Sequence, residues 1–208
     1  MTARQTLSGK RAGYHHGNLR DDLINASRAL VRENGQEHFK VSDACRHAGV
    51  STAAPYRHFS DRQALLAAVA VAGFNELRDQ TREAGAQYSI GSIEAVSAIG
   101  KAYVAFASRE PNLFKLMFGQ STSDQHSGSD QGFTAGRECY EVLLEQLVAR
   151  LDSARINEQV IEAAFPLWTF VHGISFLVID GKLSVNQMPI DINRQIERAT
   201  TRLMPDKV

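Results

Sequence analysis

Val41, Ala44, Cys45 and Ala48 recur at i, i+3, i+4 and i+7, and the series stops at Gly49. That spacing puts the apolar side chains on one stripe of a two-turn helix. A glycine directly after the stripe tolerates the left-handed conformation in which many helices end. Val50 is then placed to plug a corner, and Ser51 stands at the N-cap position of a second short helix. Helix, glycine turn and helix within Val41–Phe59 is the layout of a helix-turn-helix, whose second helix enters the major groove of DNA. An ordinary helix hairpin with an exposed aromatic is the other reading of the pattern.

The residues after the turn suit a nucleic-acid surface. At about 100° per residue, Thr52, Ala53, Tyr56 and Arg57 share one helical face. Thr52 can hydrogen-bond a base edge, and Ala53 and Ala54 are small enough to approach a thymine methyl. Tyr56, Arg57 and His58 can reach phosphates, which position a protein without reading sequence. Pro55 removes one early helical hydrogen bond, near the first turn where the loss is smallest.

AGVSTAAPYRHFSDRQALLAAV resembles the signature of the TetR/AcrR family of transcriptional repressors, and upstream YHHGNLRDDLINASRALV resembles one branch of it. The resemblance covers residues 14–75 strongly and the remainder in outline. It implies an all-α fold: a three-helix DNA-binding head and a helical effector-binding and dimerisation body, about nine helices in total. Lys40 stands where the family usually has Ser or Thr capping the first motif helix. Lysine cannot cap, so either Ser42 starts that helix later or Lys40 contacts a phosphate. The resemblance also implies that Arg62 holds a phosphate.

The 208 residues are 43% hydrophobic and 22% charged, an ordinary globular composition. Net charge is zero but unevenly placed: residues 1–62 hold 10 Lys+Arg against 6 Asp+Glu, and residues 63–208 hold 13 against 17. A basic end on an acidic remainder points to a nucleic-acid-facing module carried by a body with another job. Cys45 and Cys139 lie far apart in apolar helical patterns, as buried reduced thiols of a cytoplasmic protein do. MTARQTLSGKRAG has no apolar core for a signal peptide. Ala163–Ile179 lacks formal charge but is interrupted by Pro166, His172 and Gly173, so a core helix is expected there rather than a membrane span.

In order, residues 1–16 read as a basic arm, reaching DNA or merely disordered. Its His15–His16 pair diverges in direction and has no nearby partner, so no metal is expected. Residues 17–62 read as the helix-turn-helix domain, with Asn18 capping a helix to Asn34. Residues 63–84 read as a connecting helix, started by a Ser60/Gln63 capping box. Residues 85–208 read as the ligand-binding and dimerisation domain, with helices over about Ser92–Arg109, Pro111–Phe118, Phe133–Leu151, Ser153–Asp180 and Asp191–Met204. Gly119–Gly132 reads as a polar loop.

The Ser153–Asp180 segment is apolar nearly all round and must bury more than one side. With Asp191–Met204, whose stripe is Ile192, Ile196, Ala199 and Leu203, it is the expected homodimer interface. A two-fold dimer would read a palindromic double-stranded operator. Trp168 and His172 with Gly173 resemble a Trp-x-x-x-His-Gly signature of one family branch. Phe106, Phe114, Met117, Phe118, Trp168, His172 and Phe176 are expected either to enclose a small apolar effector or to be plain core. The expected function is a dimeric repressor released by that effector. A regulator without an effector, and an all-helical enzyme or carrier, are the alternatives. No phosphate loop, metal-spaced cluster or nucleophile–base pair is present in the sequence, so no enzyme activity and no cofactor are expected.

Overall fold

The structure is a computed structural model that describes residues 19–119, 129–184 and 190–207. The arm, the His15–His16 pair and the Asn18 cap lie outside the described residues, as does most of the polar segment before Ser129. Eight α-helices and no strand occur among the described residues. They are α1 (Leu19–Asn34), α2 (Val41–Ala48), α3 (Arg62–Gly85), α4 (Ile93–Arg109), α5 (Pro111–Phe118), α6 (Ser129–Arg150), α7 (Glu158–Ile179) and α8 (Ile192–Leu203).

The head is α1, α2, the turn after it and the start of α3. Leu23, Ile24, Val31, Phe39, Ala44, Cys45 and Phe59 are buried there, with Val50 packed against them at the corner. At the end of α2 Gly49 has φ +68°, and its N–H donates to the Arg46 carbonyl at 3.2 Å. Val50 N–H reaches the Cys45 carbonyl at 2.9 Å. Lys40 has extended backbone and caps nothing, and α2 starts at Val41, so Ser42 does not delay it.

The second motif helix departs from expectation. Ser51–His58 forms turns and one 3-10 helix, Pro55–Arg57, rather than an α-helix. Pro55 has no N–H to offer the Ser51 carbonyl, which accepts instead from Ala54 at 3.0 Å, three residues on. The i to i+3 pattern continues with Arg57 to Ala54 and His58 to Pro55. This is why eight α-helices stand among the described residues where about nine were expected.

The caps are also corrected. α3 is capped by Asp61, whose side chain accepts from Ala64 N–H at 2.8 Å; Ser60 only donates to that carboxylate. α7 starts at Glu158 under an Asn157 cap, not at Ser153. α6 starts at Ser129, ahead of the expected Phe133. Leu203 of the α8 stripe is exposed, whereas Ile196 is buried.

α3 runs unbroken for 24 residues from the head into the body, packing on α4 and α6. α4 packs on α7 and α8, and α6 on α7. Leu143, Leu144, Leu147, Val160, Ala164 and Leu167 form the second core at the far end. There Gly91 has φ +74°, and a Cβ on it would meet the Arg150 backbone nitrogen at 2.9 Å. Its N–H donates to Gln146 at 2.9 Å, so this turn is tied tightly to the end of α6. Head and body are joined by more than α3. Arg28 pairs with Glu76, Arg32 with buried Glu110, and Asn112 donates to the Arg32 carbonyl at 2.9 Å.

α7 is a long apolar helix, sufficient in length and composition to cross a membrane, yet only 22% of its most apolar window is buried. Val160, Ala164, Leu167 and Ser175 face the interior. Ile161, Phe165, Thr169, Gly173 and Leu177 follow one another at four-residue spacing, and all are exposed. The helix is therefore half covered by its own chain rather than wholly buried.

Candidate nucleic-acid interface and internal cleft

The turn after α2 presents its side chains outward. Lys40, Ser42, Thr52, Ala53, Arg57 and His58 are exposed, Tyr56 is 62% exposed, and Ala54 is half-buried. Pro55 is buried and anchors the turn, so the flanking polar residues must face solvent. The side chains of Lys40, Tyr56, Arg57 and His58 make no hydrogen bond or ion pair among the described residues, which leaves their side-chain donors available to another molecule.

Arg62 is placed differently from its expected phosphate role. Its Nε donates to the Phe39 carbonyl at 3.1 Å, and a terminal nitrogen donates to the Gln36 carbonyl. The guanidinium lies 5.7 Å from the Phe39 ring centroid. A planar fork with fixed donors suits two adjacent carbonyls. Arg62 thus ties the first turn of α3 to the loop before α2, and it positions the motif instead of reaching outward.

In the body a cleft of about 1020 Å³ runs from the first turns of α3 inward, between α3, α4, α6 and α7. Met117, Phe118 and Trp168 line it. Phe106, Phe114, His172 and Phe176 do not. Phe106 and Phe114 are wholly buried core, and Phe176 packs on Phe114 with centroids 5.5 Å apart. His172 stacks on Trp168 at 5.1 Å and meets Phe118 edge-on at 4.8 Å, and its Nδ1 pairs with the Tyr103 hydroxyl at 2.9 Å. It holds the wall from outside.

The sequence reading missed Phe74, Tyr103, Gly136, Cys139, Tyr140 and Leu143, which do line the cleft. The spacing of Gly136, Cys139, Tyr140 and Leu143 marks one face of α6 and was the available signal. Burial pushes the Cys139 thiol up to about 12 and Tyr103 well above its usual 10, so both stay neutral.

Burial also pulls His172 below its ordinary 6.5. As pH falls past 6.5 the unfolded chain takes up this proton first. The stabilisation from neutral His172 is therefore complete above 6.5 and is lost as pH falls through the lower, folded value. Acidification from pH 7.5 to 5.5 is expected to lower the Tm of the native chain more than that of His172→Asn. Thermal unfolding monitored by circular dichroism checks it, and equal drops would remove His172 as the source.

Residues 23–69 match the family described as bacterial regulatory proteins, tetR family. Residues 96–203, more than half of the chain, match the tetracyclin repressor-like C-terminal domain. The chain belongs to the TetR family. This TetR-family chain is a helix-turn-helix DNA-binding transcription regulator with a ligand-binding type of C-terminal domain. Among solved structures it is similar to a protein of unknown function from Rhodococcus sp. RHA1, at 26% identity and TM-score 0.75, covering 93% of this chain and 97% of that one. It is also similar in fold to a TetR transcriptional regulator from Rhodococcus sp. RHA1, at 22% identity and TM-score 0.60, covering 88% and 96%. A third similar fold is the transcriptional regulator FadR from Bacillus subtilis in complex with stearoyl-CoA, at 15% identity and TM-score 0.62, covering 88% and 97%. No curated protein matches the chain in sequence.

Proposed function

We propose that this TetR-family regulator is a cytoplasmic homodimeric repressor, released from a palindromic operator when a small apolar effector enters the body cleft. The observation that carries this reading is the cleft itself. Its walls include the first turns of α3, beside the motif, and the heart of the body, so one occupant touches both. Release requires only that the occupant prefer one head spacing over another, typically by about 1–3 kcal/mol of coupling. The similar fold of FadR is in complex with stearoyl-CoA, a ligand with a long acyl chain, which supports an effector with an apolar part here.

In this reading Thr52, Ala53 and Ala54 meet base edges, and Lys40, Ser42, Tyr56, Arg57 and His58 meet phosphates. The second copy covers the exposed stripe of α7 with part of α8. Ile161 and Phe165 are 48% and 57% exposed, and a Cβ on Gly173 would meet nothing within 4 Å, so the stripe is both apolar and accessible. A continuous apolar face of this kind asks for a partner surface, and a two-fold axis supplies the same face twice.

Selection of genomic DNA fragments on the purified protein tests the reading. Fragments carrying one inverted repeat are expected, together with a solution mass twice that of the chain. Recovery of fragments without any shared repeat would overturn it. Tyr56→Ala is expected to weaken binding across all selected fragments and to flatten the salt dependence by about one unit. Thr52→Ala is expected to relax base preference at one position per half-site. Binding titrations at several salt concentrations separate the two effects, and an unaltered preference would remove Thr52 from direct readout.

A further inference from the structure

We propose that the deep end of the cleft takes an uncharged, elongated apolar molecule carrying one hydrogen-bonding oxygen, which meets the hydroxyl of Tyr140. This rests on the effector reading above and names the class of effector.

The first observation is the distribution of charge along the walls. The charged side chains among the lining residues are Arg20 and Asp61 at the head end and Arg137 on the outer part of α6, with His58 beside the first two. Arg137 is largely exposed and pairs with Glu141 at 3.5 Å, and Arg20 lies near Asp21 at 3.9 Å. Further in, the walls carry only neutral groups, with Phe74, Ile99, Leu143 and Trp168 among them. Arg78 and Arg82 of α3 are turned to Glu138 and Glu145 of α6, and they do not line the cleft. Tyr103 and Cys139, the deep titratable groups, are held neutral by burial. Beyond Arg137, which stands one turn before Tyr140 and is paired with Glu141, a charge brought here would lose its water and meet no charged lining side chain, which is expensive.

The second observation is length. The cleft touches α3 from Ala64 to Thr81, which at about 1.5 Å per residue is a run of about 26 Å. A compact molecule would leave most of it unfilled.

The third is the polar inventory. The Tyr103 hydroxyl is engaged by His172 Nδ1 at 2.9 Å. The Tyr140 hydroxyl makes no hydrogen bond among the described residues, although its ring packs edge-on against Trp168 at 5.7 Å between centroids. Thr81 donates to its own helix at 2.9 Å. Tyr140, like Thr200 of α8 and Gln63 at the head end, therefore has both a donor and an acceptor to offer, and of the three it is the one packed on Trp168.

Trp168, the single tryptophan of the sequence, lies in the wall and reports occupancy by its fluorescence. The probes are 1-decanol, decanoate and decylamine, which share one chain length. Saturable quenching by 1-decanol at pH 7 is expected. Decanoate and decylamine must be neutralised before entry. With ordinary carboxyl and amine pKa values of about 4.3 and 10.4, they should bind about 500-fold and about 2500-fold more weakly at pH 7. Tyr140→Phe, with an unchanged Tm, should weaken 1-decanol about 3–10-fold, the loss of one hydrogen bond. Decanoate or decylamine binding within about tenfold of 1-decanol would overturn the neutral class while leaving the effector reading in place. If no probe changes the fluorescence or releases selected DNA, both readings fall. Unaltered 1-decanol affinity in Tyr140→Phe would overturn the assigned anchor.

Discussion

Phe165→Asp is expected to turn a dimer into a folded monomer that has lost its hold on inverted-repeat DNA. The side chain is 57% exposed on α7, so the fold does not need it. In the proposed dimer the change appears twice, and each aspartate would have to enter an apolar contact. Like charges brought together in an interface cost several kcal/mol, enough to shift the dissociation constant by more than about 100-fold. Sedimentation would read the mass, and titration against a selected fragment would read the second effect. Since one motif spans only a few base pairs, affinity for a two-half-site fragment should fall with the mass. A mass unchanged from the native chain would place the partner copy on another face.

Phe114→Ala is expected to have the largest effect on stability, about 3–5 kcal/mol, as for other buried phenylalanines. Phe114 is wholly buried and is the hub of the aromatic cluster. Its ring meets Tyr103 edge-on at 5.6 Å, Phe118 at 4.7 Å, Phe176 at 5.5 Å and His172 at 5.8 Å between centroids. Removing it leaves a void that none of these rings can fill without leaving the others. Urea unfolding measures the loss directly. A loss under about 1 kcal/mol would mean that the cluster collapses onto the void.

Much of this architecture was legible because helix periodicity survives in the apolar residues. Leu65, Leu66, Val69 and Phe74 announced α3, and Val41, Ala44, Cys45 and Ala48 announced α2. What the pattern could not decide were contests between neighbours. Ser60 and Asp61 are both acceptable caps, and a charged oxygen on extended backbone prevailed. Ser153 and Asn157 posed the same choice, and Ser153 is instead occupied with the Arg155 carbonyl. The start of α6 was hidden because Ser129–Gly132 carries no apolar period to read. The motif turn was misread for a different reason: periodicity ignores the missing N–H of Pro55. The cleft walls were the least legible. Large apolar residues on α4, α5 and α7 were visible, but whether each fills the core or faces a hollow depends on the angles between helices. Phe114 went to the core, while Tyr140 came to the wall from α6, far along the chain.

One geometric consequence concerns leverage. The 24 residues of α3 make a rod about 36 Å long. A tilt of about 5° at its inner end displaces the outer end by about 3 Å, close to the rise of one base pair. The strap of Arg62 onto the Gln36 and Phe39 carbonyls makes the motif travel with that end instead of trailing behind it. In the proposed dimer, a very small rearrangement deep in the protein would thereby be enough to put a pair of reading heads out of step with the grooves.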